Sequence, residues 1–409
     1  MKSIQLTLLI IGLFGITANA QDTTVAVGKK EKKFTIIPMP VIAGNPTTGL
    51  MLGVSPGVSF INGNPETTSI SNFLGAFIYT TKKQLLTSVR GSLFTEGDKW
   101  VFTTDIRFNI NSQPTYGLST RSESADNTII GRQDDGTIDN LFGGPTREEM
   151  MGFNHFRLYQ TVLKRYKDSR LFYGAGYHLD NISKIDDNQL DLTATPQLLT
   201  HHYRYQTIKN LPLNGYTQSG VSLNVSFDSR DNIANPYKGR LASASFRINP
   251  SFLGSTAPSS QLWLEYRDYI HLNKARPRNL IAFWTYGWFV TGGDVPYMFL
   301  PAVGWDMFSR SGRPYTQGRF RGEDLSYTEA EWRFPLQRVK NKIGGVVFIN
   351  MTSASSRTEN IGLFSSAQFG YGAGFRYMLS EKNRVNLGID YGIGRNGASG
   401  LFLNLNEYF

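Results

Sequence analysis

The chain has 409 residues, 42 Lys and Arg against 32 Asp and Glu (formal net charge +10), and no cysteine. An exported chain without cysteine is not a disulfide scaffold, and past the N-terminus no apolar run approaches the ~18 residues a spanning helix needs. The 41 Gly, 20 Tyr and 27 Phe at modest hydropathy suit a transmembrane β-barrel, in which only alternate residues meet lipid; an array of soluble β-sandwiches is the competing class.

Residues 1–20 read as a secretory signal peptide: Lys2, an apolar run from Leu6 to Ile16, and Ala18-Asn19-Ala20 before Gln21. Residues 21–47 form a short periplasmic lead-in with the basic cluster Lys29-Lys30-Glu31-Lys32-Lys33. That is less than the ~50 residues an independent domain needs. From residue 48 to 409 period-two segments follow one another with no convincing helix between them, and this stretch is expected to be the barrel.

Four segments illustrate the pattern. Phe102, Ile106, Phe108 and Ile110 oppose Asp105, Arg107 and Asn109; Val221, Leu223, Val225 and Phe227 oppose Ser222, Asn224, Ser226 and Asp228. Val385, Leu387, Ile389 and Tyr391 oppose Asn386, Gly388 and Asp390, and Leu401, Leu403 and Leu405 oppose Asn404 and Asn406. Such alternation puts water on one face and an oily medium on the other.

Counting all such segments predicts about sixteen strands, from 48–62 to 400–409, with 114–120 as the fifth and 279–291 apolar on both faces. The long connections 121–153, 181–218, 292–326 and 353–365 each follow an odd-numbered strand, so they share the extracellular end. Basic residues such as Lys82, Lys83, Lys167, Arg170, Lys274, Arg276, Arg338, Lys340 and Lys382 fall in turns assigned to the periplasmic end, while loop 121–153 is acidic. Basic turns beside lipid phosphates account for the net charge without nucleic acid.

Asp228-Ser229-Arg230-Asp231-Asn232, with Pro236 and Gly239, has the chemistry of a periplasmic turn: Asp and Asn accept from turn backbone, and Pro and Gly set its geometry. Gly318 to Pro335 pairs a polar loop end, Arg321-Gly322, with a strand carrying Glu329, Glu331 and Arg333 on one face and Ala330, Trp332 and Phe334 on the other. Tyr371-Gly372-Ala373-Gly374 puts glycines on a lumen face, where another backbone can come close. His178 and Asp180 share an inward face and form a possible base and orienter, but no nucleophile is identifiable by spacing. His201-His202 lacks metal-ligand spacing. No catalytic residue, metal site or cofactor site is assigned.

Phe320-Arg321-Gly322-Glu323 with Glu331-Trp332-Arg333-Phe334-Pro335, the Phe-Asp-x-Arg-Asp-Asn run at 227–232, and the terminal Phe409 resemble the BamA/TamA-like outer-membrane surface antigens. The resemblance implies an antiparallel barrel in the outer membrane of a Gram-negative-type bacterium, with loop 292–326 folded into the lumen. It implies that Arg321 meets Glu331, supported by Glu329, and that Asn350 stands where the family carries an aspartate. Replacing Glu331 by Ala is then expected to release the loop, and Phe409 is expected to be the C-terminal assembly signal. Functionally the resemblance implies outer-membrane protein assembly or polypeptide translocation, with lipid around the barrel and a separate periplasmic or outer-membrane protein partner. A passive pore or adhesin barrel is the alternative, and a lumenal hydrolase built on His178 a third.

Overall fold

In the computed structural model, sixteen antiparallel strands form one sheet in strict chain order. They are β1 Phe34–Asn45, β2 Gly49–Phe60, β3 Ser71–Thr80, β4 Leu85–Phe94, β5 Trp100–Thr115, β6 Glu149–Arg165, β7 Leu171–Asp187 and β8 Gly215–Asp228, then β9 Gly239–Asn249, β10 Ser259–His271, β11 Leu280–Gly293, β12 Asp324–Pro335, β13 Ile343–Ala354, β14 Gln368–Ser380, β15 Val385–Gly394 and β16 Ser399–Leu405. The structure describes residues 34–45, 49–121, 129–132, 138–142, 149–195, 197–233, 235–337, 342–381, 384–395 and 397–409. Residues 1–20, the basic cluster at 29–33, Arg338, Lys340, Lys382 and most of the acidic loop 121–153 lie outside them.

The wall is a transmembrane β-barrel with two unlike faces. Ile106, Phe108 and Ile110 are exposed while Asp105 and Arg107, on the alternate positions, are buried. Val221, Leu223, Val225 and Phe227 are exposed on β8, and Trp332 on β12 points out between buried Glu331 and Arg333. Lipid takes the apolar row and the lumen the polar one, as the pleat requires.

Two strand boundaries differ from expectation, and the differences cancel. Residues 34–45, assigned to the lead-in, are the first wall strand, paired with β2 from Phe34↔Phe60 to Asn45↔Gly49. Their prolines, Pro38 and Pro40, hide the alternation. Residues 114–120 are not a separate strand, because β5 continues through Thr115 against Glu149. One strand gained and one lost leave the count at sixteen and the parity of the long loops intact. The turn at 81–84 changes side, however. It follows β3, and Gln84 Nε2 donates to Ser112 O at 3.0 Å, so Lys82 and Lys83 sit at the end that carries the long loops.

The expectation of no helix also fails. α1, His201–Ile208, lies in the connection between β7 and β8, capped by the Thr200 side chain on Tyr203 N. It rests on the loop after β11 through Tyr205 Oη to Val295 O, 3.0 Å, and Tyr297 N to Gln206 Oε1, 3.1 Å.

The two-faced apolar character of β11 now has a cause. Its inward Leu280, Ala282, Trp284 and Tyr286 pack in a cluster with Val303, Tyr315 and Phe320 of the following loop and with Tyr408 and Phe409 of the chain end.

Candidate functional site

The loop joining β11 to β12, residues 294–323, turns into the lumen and carries Arg313 to its centre. Arg313 is 1% exposed. Its guanidinium donates to Glu329 and Glu331 on β12 and to Asp390 on β15. It also lies over the rings of Phe348 at 3.8 Å and Tyr408 at 3.6 Å. Around it Arg333 Nε donates to Glu331, 2.7 Å, Arg376 donates to Asp390, and Arg376 Nε donates to Glu407, 2.7 Å. Tyr327 Oη donates to Glu329, and Asn386 Nδ2 to Glu407 Oε1 at 2.6 Å.

This is a buried ionic hub in which each charge is compensated by direct contact, the condition under which charges stay buried. Burial works against the charge of Arg313, but Glu329, Glu331 and Asp390 outweigh it and hold the guanidinium well above its ordinary value. Burial likewise pushes Glu407 up, while Arg376 and Arg333 override it and keep that carboxyl below the usual range.

The expected lock through Arg321 is not formed. Arg321 is also 1% exposed, but its Nη1 donates to the carbonyls of Tyr297 at 2.9 Å and Leu300 at 3.4 Å. Its guanidinium faces the rings of Tyr297, 4.9 Å, and Trp305, 5.3 Å. Burial lowers its pKa. Arg321 holds the loop's own fold together, and Gly322 N donates to Pro301 O at 3.0 Å. A Cβ at Gly322 would strike the Ser355 carbonyl. The residue that reaches Glu331 lies eight positions earlier, in Arg313-Pro314, and the resemblance did not point to it.

Asn350 reaches the hub by another route than expected. Its Nδ2 donates to the Arg313 backbone carbonyl at 2.5 Å and lies 3.4 Å from Glu329 Oε2. The carboxylate on Arg313 that β13 does not supply comes from Asp390 on β15. Alternation had placed Asp390 on the inward face, but nothing in its spacing paired it with an arginine of a distant loop. Glycines make the room: a Cβ at Gly370 would meet the Arg313 carbonyl, one at Gly392 Pro314, and one at Gly394 Tyr315.

Phe409 is not at the lipid-facing rim. After Leu405 the chain turns inward, and Phe409 is 2% exposed. Its ring sits 5.3 Å from Trp284 and 5.0 Å from the Arg333 guanidinium. Arg333 Nη2 donates to its carbonyl at 2.9 Å. The loop grips the same segment: Arg310 Nη1 donates to Glu407 O, 2.6 Å, and Tyr408 O, 3.1 Å. On the other side of the lumen, Arg90 of β4 and Arg107 of β5 both donate to Met307 O, at 2.9 and 2.7 Å. Residues 307–313 therefore bridge the early strands to the chain end. Glu407, which breaks the apolar alternation, was the sequence signal of the inward turn.

The turn after β8 is a bonded unit. Arg230 pairs with Asp228 at 2.7 Å, and Asp231 Oδ1 accepts from Tyr237 N and Lys238 N at 2.9 and 3.2 Å. Arg384, from the turn after β14, reaches Asp231 Oδ2 at 2.8 Å. Pro236 is buried in the turn, and Gly239 adopts φ 101°, a left-handed conformation that favours glycine.

Asp180 is not the orienter of His178. It accepts from His155 Nε2 at 3.0 Å, Arg157 Nε at 2.7 Å and Tyr159 Oη. His178 Nε2 instead lies 2.7 Å from Ser222 Oγ, and Ser222 is 2% exposed. His202 Nδ1 lies 3.5 Å from Asp187 Oδ2, tying α1 to β7.

A sixteen-stranded outer-membrane barrel with a loop locked into its lumen by a buried arginine defines the class. The chain belongs to the Omp85 superfamily: residues 147–393 match the Omp85 superfamily domain. Its fold is similar to that of BamA from Haemophilus ducreyi lacking POTRA domains 1–3, with TM-score 0.54 and 12% identity over 91% of this chain and 70% of that one. It is also similar to CdiB from Acinetobacter baumannii, with TM-score 0.50 and 14% identity over 92% of this chain and 60% of that one. No curated protein sequence matches the chain.

Proposed function

We propose that this barrel is a component of outer-membrane protein assembly or polypeptide translocation and works with a separate periplasmic protein partner. The observation that carries the reading is the shared grip of the inward loop on the chain end. Arg310 holds the carbonyls of Glu407 and Tyr408, and Arg313 stacks on Tyr408. Displacing the last strand would therefore displace the loop, as a barrel that opens its wall for a client requires. A passive pore needs a cleared lumen, whereas here Tyr297, Met298, Leu300 and Val303 of the loop are fully buried across it.

The test is to reconstitute the purified barrel in lipid bilayers, and to cross-link it in native membranes before purification. The expected outcome is no steady ion conductance from the barrel alone, and one periplasmic protein recovered in near-equal amount that accelerates folding of an added unfolded barrel client. Steady conductance without partner or client would sink the reading.

A further inference from the structure

At the end of the barrel opposite the long loops, the wall formed by β5, β6 and β7 carries a cluster of cations set among aromatic rings. Arg157 and Tyr159 of β6 point into the lumen, where both meet Asp180. Lys164, at the opposite parity, therefore falls on the lipid-facing row. It is paired across the sheet with Trp100 on one side and Tyr173 on the other, and all three are exposed. The Lys164 ammonium lies over the Trp100 ring at 5.4 Å. Just past the strand, Lys167 Nζ lies over the Tyr166 ring at 5.3 Å, and Tyr166 meets Tyr173 edge-on at 6.3 Å. Trp and Tyr settle at the head-group level of a membrane, so the acyl region ends here.

The two turns that carry these groups are stitched together. Arg165 N donates to Lys99 O at 2.9 Å, its Nη1 to Gly97 O at 2.7 Å and its Nε to Ser169 O at 2.7 Å. Arg170 Nη1 donates to Ser229 O at 2.8 Å, which ties them to the turn after β8. Lys99, Lys164, Lys167 and Arg170 are all exposed on this sector, and among the described residues no carboxylate pairs with any of them. Of the acids in the same turns, Asp98 accepts from Ser69 N and Oγ, both at 2.7 Å, Glu96 lies against Gly63, and Asp168 is exposed in the turn itself. Further round the rim the cations are paired: Arg230 with Asp228, Arg240 with Asp268 and Arg384 with Asp231.

We infer that this sector is a binding site for one anionic phospholipid of the leaflet at that end. Lys164 and Lys167 take the head-group phosphate, and Lys99 and Arg170 flank it. Trp100, Tyr166 and Tyr173 lie against the glycerol and the first acyl carbons. The occupant is a lipid because the site continues without a break into the lipid-facing wall: Tyr173 pairs with exposed Val225 of β8. A soluble phosphate would leave those rings uncovered. A zwitterionic head group would bring its own ammonium towards the four cations and is held less tightly. The site belongs to the wall and stands whether or not the barrel handles polypeptides.

The test is native mass spectrometry of the refolded full-length barrel, released from micelles that hold phosphatidylglycerol and phosphatidylethanolamine in equal amount. Wild type should retain one phosphatidylglycerol in preference. Lys164→Gln/Lys167→Gln should hold it about tenfold more weakly, and Lys164→Arg/Lys167→Arg should keep it. Lys274→Gln/Arg276→Gln removes the same charge from the exposed turn after β10 and should retain the lipid as wild type does. Each protein is first shown to be folded by its heat-modifiable gel mobility. Lys164→Gln alone should give a smaller loss, which keeps the test available if the double variant fails to fold. Equal retention of the two lipids by wild type would overturn the inference. So would wild-type retention in Lys164→Gln/Lys167→Gln, or an equal loss in Lys274→Gln/Arg276→Gln.

Discussion

Arg313 and Asp390 meet in the lumen from segments 77 positions apart, loop guanidinium to wall carboxylate. Asp390 also takes Arg376, whose Nε holds Glu407. Loop, wall and chain end thus share one chain of buried ion pairs.

Removing Arg313 leaves Glu329, Glu331 and Asp390 short of a buried counter-charge. Arg313→Met should destabilise the barrel by about 3–5 kcal/mol and free the loop. A spin label at Ser309 should become mobile in Arg313→Met and stay ordered in Arg321→Met, because among the described residues the Arg321 guanidinium contacts carbonyls and rings of its own loop. Equal mobilisation by both variants would contradict the assignment.

Asn350→Asp restores the residue type that the family resemblance implies at this position, yet it should weaken the barrel. The amide donates to the Arg313 carbonyl, and a carboxylate there would face that carbonyl and Glu329 with no proton to give. A loss of about 1–3 kcal/mol is expected in denaturant unfolding. A gain in stability would show that Asn350 is a weakened ion partner after all.

Phe409→Ala should behave as a core truncation, costing about 3–5 kcal/mol in thermal or denaturant unfolding of purified protein. Its packing on Trp284 and its place over Arg333 set this expectation. A variant as stable as wild type, and defective only in reaching the membrane, would return Phe409 to the role of a recognition signal.

Gly392→Val puts side-chain atoms where Pro314 lies. The loop must shift from the wall, and the reconstituted variant should acquire ion conductance that wild type lacks. A silent variant would mean that the loop yields without clearing the lumen.

The wall was legible in the sequence because lipid and water impose opposite demands on alternate residues, and β5, β8, β12 and β15 carry that contrast in full. β1 was not legible, since proline removes the side-chain contrast on which the reading depends. Within the lumen, the acidic row Glu329 and Glu331 could be placed by parity alone. Its partner could not, because a loop arginine has no periodicity. Arg313 and Arg321 are indistinguishable until the path of the backbone is known. The inward chain end had one trace, Glu407, which breaks an otherwise apolar face for an ionic reason that becomes visible only beside Arg376.

The burial of the last three residues has a practical consequence for anyone handling this protein. An affinity handle appended after Phe409 would have to be housed in a space already filled by Trp284, Arg333 and Tyr408, so it would dislodge the segment it was meant to report. The crest between β9 and β10, where Phe252 stands 87% exposed at the end that carries the long loops, is the better place to attach a label.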